Sequence, residues 1–321
     1  MEYANTILDL IGNTPLVRLH RVVPPDRWVL AKLESMNPGG SVKDRIGIAM
    51  LERAEQAGWI RPGATIIEPT SGNTGVGLAL VCALKGYRLL CVMPDKVPKE
   101  KIALLQAYGA ECVLCPTDVP PDDERSYYRT AERLAREIPN AYMPQQYFNP
   151  ANPEAHYQTT GPEIWRQTDG RVTHFVAGMG TGGTITGVAR YLKEQNPAVR
   201  VIGVDPVGSV YAPYFRTGKM ASPRPYLIDG IGEDFIPETI DFRYIDEVVT
   251  VTDRDAYQMT LRLAREEAIL CGNSSGAAVW AAARIAERAT PDDVIVVLLP
   301  DTGERYLSKF NVAWLRAHGL E

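Results

Sequence analysis

Lys43 lies at the junction of a loop and a helix. It follows Gly39, Gly40 and Ser41 in NPGGSVKDR (37–45) and precedes the apolar run IGIAMLERA. A lysine at a helix start opposes the positive end of the helix dipole. That placement is unfavourable unless the amine meets an anion or loses its charge. A solvated surface charge is the default for any lysine. The alternatives are a phosphate clamp and a nucleophile. A Schiff base would remove the charge and tie the amine to a cofactor whose phosphate needs a glycine-rich cradle.

Three further loops carry chemistry-bearing residues. GMGTGGT (178–184) can cradle a phosphate with backbone N–H groups at a helix start, and Thr181 and Thr184 add hydroxyls. Glycines serving only a tight turn are the structural alternative. Gly178, Gly180 and Gly183 also satisfy G-x-G-x-x-G, with Asp205 about 20 residues beyond as the ribose acid of an NAD-dependent dehydrogenase. That rival leaves the other loops unexplained. EPTSGNTG (68–75) offers Thr70, Ser71, Asn73 and Thr74 with several backbone donors, suited to a carboxylate or a ring hydroxyl. One helix cap needs only one such residue. CGNSSGAA (271–278) is explained as well by a helix stop followed by a serine cap.

The elements that must hold these loops are short strand-like runs alternating with helical patterns. The runs lie at 65–69, 89–94, 112–116, 174–178, 199–206 and 294–300, and helical patterns at 77–86, 100–110, 184–196 and 255–270. In 255–270 apolar residues recur at spacings of three and four. This alternation predicts an α/β protein with parallel sheets, whose ligands bind beyond the carboxyl ends of the strands. The chemistry-bearing loops follow those ends. Segments 116–126 and 209–240 read as linkers or lids, rich in proline, glycine or acids.

The 321 residues suffice for two domains, and 45% are hydrophobic. A net charge of −5 argues against nucleic acid and against a polybasic membrane contact. The N-terminus lacks a basic segment followed by an apolar one, which predicts a cytoplasmic protein. The most apolar run, 76–93, is broken by Lys85, Gly86 and Arg88 and reads as a helix followed by a strand. Of five cysteines, Cys112 and Cys115 form C-x-x-C. Zinc would need two more ligands, so a buried strand is the better reading and no metal is expected.

NPGGSVKDR, EPTSGNTG, GMGTGGT and SSGA, in this order, resemble the fold-type II pyridoxal-phosphate enzymes, a tryptophan synthase β-like fold. The resemblance runs from GNTPLV (12–17) to RYLSKF (305–310). It implies two domains, each with a twisted, mainly parallel sheet flanked by helices. One is a smaller mobile substrate-binding domain at 46–150, and the other a larger cofactor-binding domain of 1–45 plus 151–321. It implies pyridoxal 5′-phosphate as cofactor, bound covalently to Lys43. Asn73 would contact the ring oxygen, Gly180, Thr181, Gly182, Gly183 and Thr184 the phosphate, and Ser274 the ring nitrogen. Thr70, Ser71, Gly72, Thr74, Gln146 and Gly230 would meet the substrate. A hydroxyl at the ring nitrogen does not compel protonation, which favours loss of a β-substituent over transamination. Lys43 would then remove the Cα proton, and a thiol would replace the β-substituent of serine or an O-activated serine. GVDPVGS, DGIGEDFIP, ILCGNSSG and SKFNVAWL look more like cystathionine β-synthases, and TTGPEIW like cysteine synthases. The first is the reading taken, with cysteine synthase as the alternative. The family also implies a homodimer acting on small molecules. A catalytically inactive relative is the non-enzyme alternative, against which the retention of Lys43, Asn73, the phosphate loop and Ser274 speaks.

Overall fold

The structure, a computed structural model, describes residues 1, 3–120 and 122–320. The chain divides into two compact units, Met1–Ile11 with Asn37–Ala151, and Gly12–Met36 with Asn152–Glu321.

The first unit is built on a four-stranded sheet in the order β5-β4-β3-β6, parallel throughout. Its strands are β3 (Thr65–Pro69), β4 (Arg88–Pro94), β5 (Glu111–Cys115) and β6 (Ala141–Tyr142). Four helices accompany them: α1 (Lys43–Gln56), α2 (Asn73–Lys85), α3 (Lys99–Ala107) and α4 (Tyr127–Glu137). Thr65, Ile66, Ile67 and Glu68 of β3 are all buried, as expected for a parallel strand covered on both faces. Ile67, Leu90 and Val92 pack with Ala131 of α4 on one face. The pleat turns Glu68 and its register partner Cys91 to the other. Helix α2 is buried continuously over the nine residues from Thr74 to Cys82 and stops at Gly86, a left-handed residue.

The second unit carries a six-stranded sheet in the order β1-β2-β10-β7-β8-β9, in which only β1 runs antiparallel to its neighbour. Its strands are β1 (Leu16–Arg18), β2 (Trp28–Leu33), β7 (His174–Gly178), β8 (Arg200–Pro206), β9 (Glu247–Val251) and β10 (Val294–Leu299). The helices are α5 (Ala151–Gln158, entering from the first unit), α6 (Thr160–Gln167), α7 (Gly183–Gln195), α8 (Tyr211–Thr217), α9 (Asp253–Glu266), α10 (Asn273–Arg288) and α11 (Val312–Ala317). The core lies between the sheet and helices α9 and α10, with Val176, Ile202, Val297, Leu263 and Ile285 among its buried side chains.

The strand-like runs of the sequence become β3, β4, β5, β7, β8 and β10, with ends that agree to within a residue. Strands β1, β2, β6 and β9 lie outside those runs. Segment 209–240 holds α8 and otherwise no helix or strand, and the described part of 116–126 holds neither. No described helix is long and apolar enough to cross a membrane.

Candidate active site

In the first unit, Lys43 and Asn73 are the first residues of α1 and α2. These helices touch through glycines. A Cβ on Gly77 would stand 2.5 Å from the Lys43 carbonyl oxygen, and a Cβ on Gly47 2.5 Å from the Gly77 carbonyl carbon. The backbone of Lys43 therefore lies against α2 one turn past Asn73. Neither N-cap residue caps its helix with a side chain; at the start of α1 the Ser41 hydroxyl accepts the Lys43 N–H at 3.2 Å and the Ser41 carbonyl the Asp44 N–H at 3.3 Å. Asp44, beside Lys43, is fully buried, and its carboxylate accepts the Gly39 N–H at 2.5 Å. A Cβ on Gly39 would lie 2.6 Å from that carboxylate. The GG of NPGGSVKDR thus lets the loop close on Asp44 just ahead of Lys43.

Thr70, Ser71, Gly72 and Thr74 follow the carboxyl end of β3. A Cβ on Gly72 would meet nothing within 4 Å, so this loop borders open space. The Thr74 hydroxyl donates to Gln146 Oε1 at 2.6 Å, which brings Gln146 to the same loop from 72 residues away. Behind them Glu68, fully buried, accepts the N–H groups of Gln145 (2.9 Å) and Gln146 (3.0 Å). Burial pushes its carboxyl up to about 7, against the pull of these two hydrogen bonds.

In the second unit, the 180–184 loop joins β7 to α7. Gly182 has φ +81°, and a Cβ there would lie 2.3 Å from the side chain of Ile240. A Cβ on Gly183 would lie 1.9 Å from Asn152 Oδ1. Only glycine fits both positions, and α7 opens without a side-chain cap. Asn152 and His156, one turn apart on α5, hold the loop's two hydroxyls. Asn152 Nδ2 donates to Thr181 Oγ1 at 3.0 Å, and His156 Nε2 lies 3.2 Å from Thr184 Oγ1. His156 Nδ1 lies 2.9 Å from Thr160 Oγ1, which fixes the ring. Sequence reasoning missed this support, although the i, i+4 spacing of Asn152 and His156 was its signal.

Ser274 is buried in the first turn of α10. Beside it Asn273 accepts the Asp229 N–H (2.9 Å) and donates to Asp229 Oδ2 (3.0 Å) and to the Tyr257 hydroxyl (2.9 Å). Lys309 pairs with the same carboxylate at 2.5 Å. Gly230 is thereby held near the start of α10, and its carbonyl oxygen is 2.5 Å from where a Cβ on Gly180 would stand. The second unit so gathers Gly180, Gly230 and Ser274.

Taken unit by unit, these residues are of the kinds that pyridoxal phosphate needs. The second unit has a glycine loop with two oriented hydroxyls at a helix start, suited to a phosphate. The first has a primary amine and an amide at two glycine-packed helix starts, suited to a carbonyl carbon and a ring oxygen. Asp205 has a different use. It is fully buried and accepts the Ala212 N–H at 2.8 Å, which braces the turn after β8 and removes it from a ribose-binding part. Cys112 and Cys115 lie in β5, and no described cluster of three His, Cys, Asp or Glu could hold a metal.

The family model described as "Pyridoxal-phosphate dependent enzyme" matches residues 7–301. Cystathionine beta-synthase of Oryctolagus cuniculus is 47% identical over 318 residues, which are 98% of this chain and 58% of the relative. The chain thus spans little more than half the length of that enzyme. An O-ureido-L-serine synthase structure superposes with a TM-score of 0.89 at 41% identity, covering 98% of this chain and 100% of the other. A hydrogen sulfide-producing enzyme from Fusobacterium nucleatum gives 0.87 at 38%, covering 95% and 99%.

Proposed function

The chain belongs to the pyridoxal-phosphate dependent enzymes, and from that premise we propose that it replaces the β-substituent of L-serine, or of an O-activated serine, with a thiol. The cystathionine β-synthase reaction, serine with homocysteine, is the preferred reading. The observation that carries it is the 47% identity to such an enzyme along almost the whole chain. Cysteine synthase, using O-acetylserine and sulfide, is the second reading, favoured by TTGPEIW at 159–165.

Each residue has a task in this reading. Bound pyridoxal phosphate supplies an electron sink that labilises the substrate's Cα–H and its β-substituent. Lys43 Nζ would be the amine that holds the cofactor and the base that takes the substrate's Cα proton. Asn73 orients the ring oxygen. Residues 180–184 take the phosphate with backbone N–H groups and the hydroxyls of Thr181 and Thr184. Ser274 offers the ring nitrogen a hydroxyl rather than a carboxylate, which leaves that nitrogen less basic and disfavours transamination. Thr70, Ser71, Gly72, Thr74 and Gln146 bind the amino-acid carboxylate, so the unit built on β3–β6 is the substrate-binding one. Gly230 leaves room beside the substrate, since a Cβ there meets nothing within 4 Å.

We also infer a cytoplasmic homodimer from the resemblance to the family. Light scattering behind a sizing column should return twice the chain mass, and a monomer would refute the dimer. A substrate panel tests the reaction. L-serine or O-acetyl-L-serine is crossed with sulfide or homocysteine, and products are identified by mass. Cystathionine from serine and homocysteine is expected. Cysteine from O-acetylserine and sulfide as the dominant product would transfer the assignment to cysteine synthase.

A further inference from the structure

Glu68 takes no part in the roles above, yet it lies directly behind the substrate loop. Its two carboxylate oxygens accept the N–H groups of two consecutive residues, Gln145 at 2.9 Å and Gln146 at 3.0 Å. Gln145 has φ +58°. Successive N–H groups flanking a left-handed residue form a concave nest that favours an anion. Here the anion is internal. The backbone of Gln146 is held by Glu68, and its side-chain oxygen accepts from Thr74 at 2.6 Å. The turn is closed further by Asn149, whose side chain donates to the Pro144 carbonyl at 2.8 Å.

We infer that Glu68 is a positioning residue for the amino-acid donor: its carboxylate fills the 145–146 nest and so fixes Gln146 against Thr74, ready for the donor's carboxylate. The inference rests on the reading of Gln146 and the 70–74 loop as the carboxylate site. Ionised Glu68 accepts both N–H groups. Protonated Glu68 turns an O–H donor towards one of them and loosens the nest.

Burial sets the pH at which this happens. Glu68 is fully buried on the face of β3 opposite α4. The titratable groups that interact with it are its register neighbour Cys91 on β4 and Tyr142 on β6, neither of them a cation. Desolvation therefore dominates and raises the carboxyl to about 7, so the nest tightens as pH rises through neutrality.

Donor KM and kcat of the holoenzyme, measured from about pH 6 to about pH 8, test the inference, since that range spans the transition. A spectral titration of the bound cofactor with the donor, L-serine or O-acetyl-L-serine, gives affinity independently of turnover. Wild-type KM should fall as pH rises through about 7. Glu68→Gln should raise KM at the upper end about tenfold, the loss of a charge-assisted hydrogen bond. It should also abolish the pH step, with kcat and the cofactor's visible band little changed. A flat wild-type KM, or the same step in Glu68→Gln, overturns the inference. The wild-type profile needs no substitution, so it decides the matter if the variant does not fold. Gln146→Ala separates the two layers. If it leaves donor KM unchanged, the carboxylate-site reading fails and the clamp with it. If it raises KM while Glu68→Gln does not, only the clamp fails.

Discussion

Asp205 shows how burial alters a single side chain. Its carboxyl is pushed from 3.8 up to about 6, chiefly by desolvation, against hydrogen bonds from Ser209 and the Ala212 N–H. The folded state therefore holds a proton that the unfolded chain releases. Between 3.8 and about 6 the native state binds more protons, so this group's contribution to stability falls as pH rises through that window. Asp205→Asn keeps an oxygen for Ala212 but cannot ionise. Relative to wild type it should gain stability with rising pH, by up to about 3 kcal/mol above the window. Urea denaturation at several pH values checks this, and parallel curves would contradict it. The sequence placed Asp205 at the end of a strand but suggested a ribose ligand as one reading. Its task depends on the turn that follows, whose closure onto the carboxylate has no local signature. The placement of Lys43, Asn73 and the 180–184 loop at helix starts was legible because glycine-rich runs followed by an apolar period mark where a helix begins.

At the scale of elements, the α1–α2 crossing determines where Lys43 stands. Gly77 allows the two backbones to meet, and a methyl group there would fall 2.5 Å from the Lys43 carbonyl. Gly77→Ala should lower stability by about 1–3 kcal/mol through overpacking. It should also shift or weaken the cofactor's visible band by moving Lys43. An alanine variant of unchanged stability and spectrum would mean the crossing is not tight. Strand β2 makes the complementary point. WVLAKL (28–33) lies outside the strand-like runs of the sequence, and Lys32 interrupts its apolar pattern. Lys32 is fully buried, and its Nζ donates to Glu163 (2.7 Å), the Thr14 carbonyl (2.7 Å) and Gln167 (2.9 Å). The partners come from 18, 131 and 135 residues away, so no local pattern foretells them. Lys32→Met should cost about 3–5 kcal/mol by leaving the Glu163 carboxylate without its cation. Equilibrium denaturation measures it, and a loss below about 1 kcal/mol would place the pair among the weak surface type. Strands β3, β7 and β10 were legible for the opposite reason, since parallel strands covered on both faces are apolar throughout.

For the whole molecule, the order of the four loops along the chain was readable before any contact was known, and the family followed from it. The supports of those loops were not. Glu68, Asn152, His156 and the Asn273–Asp229–Lys309 set act through partners far along the chain, and each looks locally like an ordinary polar residue. Each support lies in the same compact unit as its partners but on a different element of the chain, so only folding brings them together. The central claim is that Lys43 is the amine that holds pyridoxal phosphate. The most direct measurement is borohydride reduction of the purified holoenzyme followed by peptide mass mapping. The account predicts a pyridoxyl adduct on Lys43 and its loss, together with the visible band and turnover, in Lys43→Ala. An adduct on a different lysine, or turnover retained by Lys43→Ala, would contradict it.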